Sequence, residues 1–470
     1  MRFQLVVLII VSILVNAQAE DRPNVLFIVI DDLNAQVGFL GDASAKTPNM
    51  DGLAGEATVF TRAYCQEPIC NPSRTSFLTG RYPHSTGIYG LSPYFWEVPE
   101  LENVKSLPQY FRENGYFSVG VGKIFHGPVH EESFDRYDGW FDGYGPQPDN
   151  PIHLDPDLPV LPFYDWGAFL ELGETTDFRI AEAACQTIRE RVGGEKPFFL
   201  SVGIIRPHAP LYAPQEFFDQ HPLGEISSVE NQSQDVEDIS PYALKLVNYS
   251  KRQLYSDWLR EKGYTDDFLQ AYEASVSLAD HCVGMVLKTL EESGFADNTI
   301  VIITGDHGIQ NGAKNIWYKR TLWEKSIRVP LLIKIPGKRM QIVDTPVGLI
   351  DIYPTLCDLA DLEPQEDLEG VSLEDILNHK ALNRPPVLSV HGPGNYSLRH
   401  EHWHYIRYAD GSEELYDLRS DPEEHDNLAF RDITKSNLQV IEKLRSSLPE
   451  KSAPFVPGTS GFWSDAFPDM

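Results

Sequence analysis

Apolar residues follow two rhythms along this chain. Short runs rich in β-branched residues at 25–30, 117–120, 198–204, 299–304 and 329–335, bounded by polar turn-formers, read as strands. Between them the apolar spacing lengthens to that of helices. The clearest case is 268–290, where Leu269, Tyr272, Val276, Leu278 and Val283 mark one face of a long amphipathic helix that feeds the strand at 299. Strands alternating with helices predict an α/β domain built on a large, mostly parallel sheet covered on both faces. The pattern changes near the end. Arg384-Pro385-Pro386 precedes strand-like pieces at 387–390 and 405–408, with a turn signal at Asp410-Gly411. A main α/β domain over 20–380 and a small α+β subdomain over 381–470, containing an antiparallel sheet, are expected. Two stretches, 145–166 and 223–262, show little periodicity. They are expected to be long irregular loops around the mouth of a site, since structureless segments of that length in a compact domain are usually functional.

Polar residues repeatedly stand just after the predicted strands: Asp31-Asp32, Lys123 and His126, Arg206 and His208, Asp306-His307. In an open parallel sheet the carboxyl ends of the strands share one edge, and ligands bind there. One such residue is readily a turn-former; four groups in register point to a common cleft. Asp31, Asp32 and Asp306 would put three carboxylates in a small volume, where they must protonate or share a cation. Oxygen ligands favour Ca²⁺ or Mg²⁺ over zinc. A further segment runs Cys70-Asn71-Pro72-Ser73-Arg74 and on to Leu78-Thr79-Gly80-Arg81. Proline suits a first helical turn, so Cys70 is placed at a helix N-terminus, where free N–H groups attract an anion.

Composition narrows the classes. With 470 residues, 42% hydrophobic and 23% charged, the chain has material for a real core and lies far from disorder. A net charge of −30 disfavours binding to nucleic acid or an anionic membrane, so an anionic substrate would need local positive charge. Residues 1–19 open with Arg2, continue through the apolar run 5–15 and close on Ala17-Gln18-Ala19, the layout of a secretory signal. That run is too short for the ~20 residues of a membrane span, and export to the periplasm or medium is expected, or to the lysosome in a eukaryotic source. Five scattered cysteines, with no CxxC pair, argue against a disulfide framework or structural zinc and set Cys70 apart.

Cys-x-Pro-Ser-Arg followed by Leu-Thr-Gly-Arg resembles the signature of the type I sulfatases, in which the cysteine is oxidised to formylglycine. The resemblance spans nearly the whole chain after residue 19. The blocks at 106–128, 196–211 and 348–362 are most similar to the iduronate-2-sulfatase branch. It implies an alkaline-phosphatase-like fold and one Ca²⁺ per chain, held by Asp31, Asp32, Asp306, His307 and the modified Cys70. It implies that Arg74 steadies the formylglycine and that Lys123, His126, His208 and Lys319 grip the sulfate and move protons. A formylglycine-generating enzyme is the implied maturation partner. The implied reaction hydrolyses a sulfate ester on a carbohydrate, most similarly a 2-O-sulfated uronate of a glycosaminoglycan or algal polysaccharide. A hydroxyl of the hydrated aldehyde attacks sulfur, His126 serves as base, and His208 and Lys319 attend the leaving oxygen. Where many relatives have Leu-Gly-Glu-His after Asp-His-Gly, this chain has Asn311-Gly312-Ala313-Lys314, read as a changed substrate wall. Tyr94, Trp96, Trp140 and Trp166 are candidates to stack on sugar rings or to fill the core. Asn231, Asn248 and Asn395 lie in glycosylation sequons. The competing readings are a phosphate or phosphonate ester hydrolase of the same superfamily and a non-catalytic glycan-binding relative.

Overall fold

The computed structural model describes residues 22–467 apart from 142, 155–163, 192–193, 227–234, 381–382 and 463. The expected signal segment and Asn231 lie outside the described residues. In chain order the strands are β1 (Asn24–Ile30), β2 (Thr58–Tyr64), β3 (Phe117–Gly122), β4 (Arg136–Tyr137), β5 (Trp166–Ala168), β6 (Phe198–Ile204), β7 (Leu211–Ala213), β8 (Thr299–Gly305), β9 (Arg328–Lys334), β10 (Gln341–Val343), β11 (Val347–Gly348), β12 (Val387–Val390), β13 (Tyr396–His400), β14 (Trp403–Arg407) and β15 (Glu413–Asp417). The main sheet runs β10-β2-β9-β8-β1-β6-β3-β4, with β11 also pairing with β2. Its neighbours pair in parallel except at β9, which runs against both β8 and β2. The carboxyl ends of β1, β2, β3, β6 and β8 therefore meet along one edge.

The strands at the centre are buried on both faces, as crossover helices require. All seven residues of β1, of β6 and of β8 are buried. In β1, Leu26, Ile28 and Ile30 face one core with Phe268, Val276, Val283 and Val286 of the long helix Thr265–Glu292, while Val25, Phe27 and Val29 face a second core with Phe77, Ile352 and Leu356. The period-2 alternation of a strand thus feeds two cores from one run of apolar residues. The long helix was legible in the sequence, and it begins three residues before the expected stretch.

The four-stranded antiparallel sheet β12-β13-β14-β15 forms a separate layer backed by the helix Lys435–Arg445. The chain after it returns to the catalytic part: Leu91 donates its N–H to the Ser460 carbonyl (2.8 Å) and Val456 to that of Gly87 (3.1 Å).

The stretch 223–262 departs from the irregular loop expected of it. It contains the helices Pro241–Leu246 and Tyr249–Lys262. Ser240 caps the first, its hydroxyl accepting from Ala243 N–H at 3.1 Å, and Pro241 occupies the first turn. Tyr255, Trp258 and Leu259 of the second are buried at i, i+3 and i+4; the charged residues between them hide this narrow stripe from a periodicity reading. The five cysteines are all buried and unpaired. Among the described residues, no helix is long and apolar enough to cross a membrane.

Candidate active site

Each strand end delivers its residue to the same place. Asp31 and Asp32 follow β1, Asp306 and His307 follow β8, Lys123 and His126 follow β3, Arg206 and His208 follow β6, and the chain after β2 reaches Cys70. Cys70 opens the helix Cys70–Thr79, every residue of which is buried. Its N-cap, Ile69, offers no side-chain acceptor, so the first N–H groups are not capped by a side chain. Gly80 ends the helix at φ 69°, the left-handed conformation that favours glycine.

The Cys70 thiol is ringed by cations. His307 Nε2 is 3.3 Å and Lys319 Nζ 3.2 Å from Sγ, and His126 also bonds to it. Burial pushes the thiol up, but Lys123, Lys319, His307 and the bond from His126 outweigh it and hold it well below its ordinary value. The acids are arranged around the same point. Arg74, itself buried, donates from Nε to Asp306 Oδ2 (2.8 Å) and from Nη2 to Asp31 Oδ1 (3.3 Å), and it also reaches the carbonyls of Lys123 and Ile124. Lys123 pairs with Asp31, and Lys319 with Asp32 at 2.7 Å. Burial and Cys70 push Asp31 up, yet Lys123, His208 and Arg74 win and hold it below the usual carboxylate range. Asp306 goes the other way: burial and the Asp31 charge raise it to about 6 against the pull of His307 and Arg74. Burial opposes the charge on His307, but Asp306 carries its imidazole up to about 9.

Two clusters of possible ligand atoms, Asp31/Asp32/Cys70/His208 and Asp31/Cys70/Asp306/His307, each fall within 4.8 Å. Three carboxylates this close, one of them raised by another, suit a hard divalent cation. Asp31, Asp32, Asp306 and His307 with residue 70 are the donors that would hold one.

The tautomers follow from the partners. His208 Nδ1 lies 2.6 Å from the Ala209 carbonyl and His307 Nδ1 3.1 Å from that of Gly308. A carbonyl only accepts, so both Nδ1 atoms carry a hydrogen; this leaves Nε2 of His208 for chemistry, while Nε2 of His307 lies against the Cys70 thiol. His208 lines a cavity with Asp32, Cys70, His126, Tyr144, Tyr318, Lys319 and Arg320, and its ring stacks on Tyr144 at 4.7 Å. His126 keeps an unpartnered, buried Nδ1, and burial lowers its pKa despite the bond to Cys70.

Sequence reasoning gave Arg206 no role, although it stands at a strand end. Its guanidinium donates to the carbonyls of Tyr212 (3.0 Å), His208 (3.1 Å) and Tyr144 (3.0 Å), fixing the loop that carries His208. Tyr144, unnamed in the sequence reading, lies with Trp140 under Lys123 Nζ, at 5.6 and 5.5 Å from the ring centroids. No sequence motif marks it.

Other expectations need correction. Lys314 is no part of a substrate wall: it points away from the cavity, donates to the Glu424 carbonyl, pairs with Asp235 and lies over Trp323 and Tyr416. Of the two readings open to it, Trp166 takes the core one, stacked on His153 at 4.7 Å. Tyr94 stacks on Trp96 (5.0 Å) and Trp96 on His130 (5.1 Å), which occupies those ring faces internally. Asn395 is fully buried and donates to the His391 and Pro393 carbonyls, so its sequon is closed to glycosylation in the folded chain. Of the low-periodicity stretch 145–166, Tyr164 does reach the cavity wall.

A strand-edge site of buried carboxylates, cations and one activated residue at a helix N-terminus is the site of a hydrolase acting on an anionic ester. The Sulfatase family model matches residues 23–362, and the model described as N-sulphoglucosamine sulphohydrolase, C-terminal, matches 312–453. The chain is 36% identical over 453 residues to a sulfatase of Formosa agariphila, covering 92% of this chain and 87% of that one. It is 30% identical over 407 residues to iduronate 2-sulfatase of Homo sapiens, covering 73% and 70%. Among solved structures, the phosphonate monoester hydrolase of Agrobacterium radiobacter superposes with a TM-score of 0.73 at 22% identity, covering 91% of this chain and 95% of that one. A 2-O GAG sulfatase superposes with a TM-score of 0.68 at 23% identity, covering 90% of each. The chain belongs to the sulfatase family, and it is a sulfuric ester hydrolase with that family's fold.

Proposed function

We propose that this sulfatase removes the 2-O-sulfate of a uronate, of the iduronate type, from a glycosaminoglycan or algal polysaccharide fragment, with Cys70 converted to formylglycine and one Ca²⁺ in the carboxylate cluster. The observation that carries the reading is the cluster of cations around Cys70, with His307 and Lys319 on the thiol and Lys123 close enough to lower its pKa, joined by a hydrogen bond from His126. The similarity to iduronate 2-sulfatase and to an ulvan-active sulfatase supports the sugar class. Export through residues 1–19 and a division at 381 belong to the same proposal.

The cation, held by Asp31, Asp32, Asp306, His307 and residue 70, would supply a localised positive charge that favours an anionic oxygen at position 70. The chain's own residues do the rest. Arg74 locks Asp31 and Asp306 at fixed distances, so the charge around residue 70 is set before substrate arrives. Lys123 and Lys319 face the non-bridging oxygens of the sulfate. His208 Nε2, its other nitrogen tied to a carbonyl, holds a proton for the departing sugar oxygen. His126, kept neutral by burial, takes the proton from the remaining hydroxyl at position 70, whose oxygen re-forms the carbonyl as the C–O bond to the sulfate breaks.

The test is a peptide-resolved mass of residue 70 after co-expression with a formylglycine-generating enzyme, paired with sulfate release from a panel of sulfated uronates. The aldehyde mass with sulfate release from the 2-O-sulfated member is the expected result. An unmodified cysteine, or faster alcohol release from a phosphonate monoester than sulfate release from any sulfated uronate, would move the assignment to the competing hydrolase class.

A further inference from the structure

His208 is fixed by its own hydrogen bond at one atom only. Nδ1 is tied to the Ala209 carbonyl at 2.6 Å, and a ring held at a single atom can still rock about that bond and carry Nε2 away from a leaving oxygen. Tyr144 removes this freedom. Its ring lies against the imidazole with centroids 4.7 Å apart and planes 19° from parallel, within the range of stacked aromatic pairs. Tyr144 is half-buried and lines the same cavity as Cys70, His208 and Lys319.

One guanidinium brings the two rings together. Arg206 donates from Nη1 to the His208 carbonyl (3.1 Å) and from Nη2 to the Tyr144 carbonyl (3.0 Å). The clamp is itself anchored, because Asp177 Oδ1, at the start of the helix Thr176–Arg191, accepts the N–H groups of Ile205 (2.6 Å) and Arg206 (3.3 Å). Trp140 stands edge-on to Tyr144, with centroids 6.3 Å apart and planes at 71°. Lys123 Nζ lies over both rings, where an aromatic face attracts a cation, and stays paired with Asp31. The bond from Arg206 to residue 144 runs through the backbone and survives any side chain there. The plane of the His208 ring depends on the Tyr144 ring.

We propose that Tyr144 is a positioning residue for proton transfer to the leaving oxygen: its ring fixes the plane of the His208 imidazole and so the direction of Nε2. As the bond from sulfur to the sugar oxygen breaks, the electron pair goes to that oxygen and the Nε2 proton follows it, leaving a neutral imidazole with its hydrogen on Nδ1. The inference rests on the reading of His208 as proton donor and adds what aims it. If the Tyr144 ring only filled the cavity wall, its loss would slow every sulfate ester alike.

The test measures kcat on a 2-O-sulfated uronate, whose sugar alcohol needs the proton, and on a nitrophenyl sulfate, whose leaving group does not, and takes the ratio of the two. Tyr144→Leu removes the ring and should lower that ratio roughly 10- to 100-fold, the cost of misplacing a reacting group by about 1 Å. Tyr144→Phe keeps the ring and should hold the ratio within about threefold of wild type. In a His208→Ala background, Tyr144→Leu should change the ratio by less than about threefold, because the group it aims is gone. A ratio unchanged in Tyr144→Leu would overturn the inference. So would an equal fall in Tyr144→Phe, or a fall in the His208→Ala background as large as in the wild type. A His208→Ala variant that keeps the wild-type ratio would instead remove the reading of His208 as proton donor, and the inference with it.

Discussion

Replacing His208 with alanine tests the proton inventory of the site. The Nδ1 hydrogen is committed to the Ala209 carbonyl at 2.6 Å, the ring is held on Tyr144, and Nε2 is the remaining nitrogen. If that atom protonates the leaving oxygen, its value depends on how badly the leaving group needs a proton. For a sugar alcohol, a poor leaving group, removal should cost the ~10²- to 10⁴-fold typical of general acid catalysis, or about 3–5 kcal/mol in the barrier. For a nitrophenyl sulfate, whose leaving group departs readily as an anion, the loss should be within about tenfold. The assay is sulfate release from both ester types by wild type and His208→Ala, with kcat and KM separated. The fold should survive, because His208 is only half-buried and sits in a loop held by Arg206 rather than by its own ring. Equal losses on the two ester types would refute proton donation and leave His208 as a binding residue.

Arg206→Ala should be worse for the fold than His208→Ala. It strands three carbonyls, those of Tyr212, His208 and Tyr144, so a loss of roughly 3 kcal/mol or more is expected in urea unfolding, together with a fall in kcat; a variant as stable and active as wild type would contradict the clamp. Glu273 is buried with Oε2 unpartnered, and burial plus Asp42 raise it to about 8. A raised acid contributes stability below its unfolded value near 4.5 and loses it as pH rises through 8. Glu273→Gln should therefore match wild type near pH 4 and exceed it at pH 8.5 by on the order of 3–5 kcal/mol, and parallel pH profiles would count against it. Because the chain carries −30, kcat/KM for an anionic substrate should rise between about 10 and 150 mM salt, as the Debye length shrinks from ~30 to ~8 Å; a flat profile would show that the basic cavity alone governs encounter.

Much of this site was legible because strand ends are a one-dimensional signal. Asp31, His208 and Asp306 each follow an apolar run, and a parallel sheet converts that adjacency in sequence into adjacency in space. What escaped was built by side chains reaching across the fold. Arg206 stood in the right place, but its three carbonyl partners come from its own loop and from Tyr144, 62 residues away. Arg252 lies in a stretch whose charged residues masked its helix, and only the fold brings it against Tyr318. Lys314 fails for the opposite reason. Its position after Asp306-His307-Gly308 suggested the cavity, but a left-handed backbone at φ 49° turns it toward Asp235 and Glu424.

The charge pattern explains why such a negative protein can bind anions. The acids of the site are spent on holding cations: Asp31 fixes Lys123 and Arg74, Asp32 fixes Lys319, and Asp306 fixes Arg74 and raises His307. A buried ion pair is a poor source of stability, but here each pair immobilises a positive group beside Cys70, so little reorganisation is left when the sulfate arrives. The same logic separates Arg252 from its neighbours. It is held by carbonyls, which fix its position without cancelling its charge.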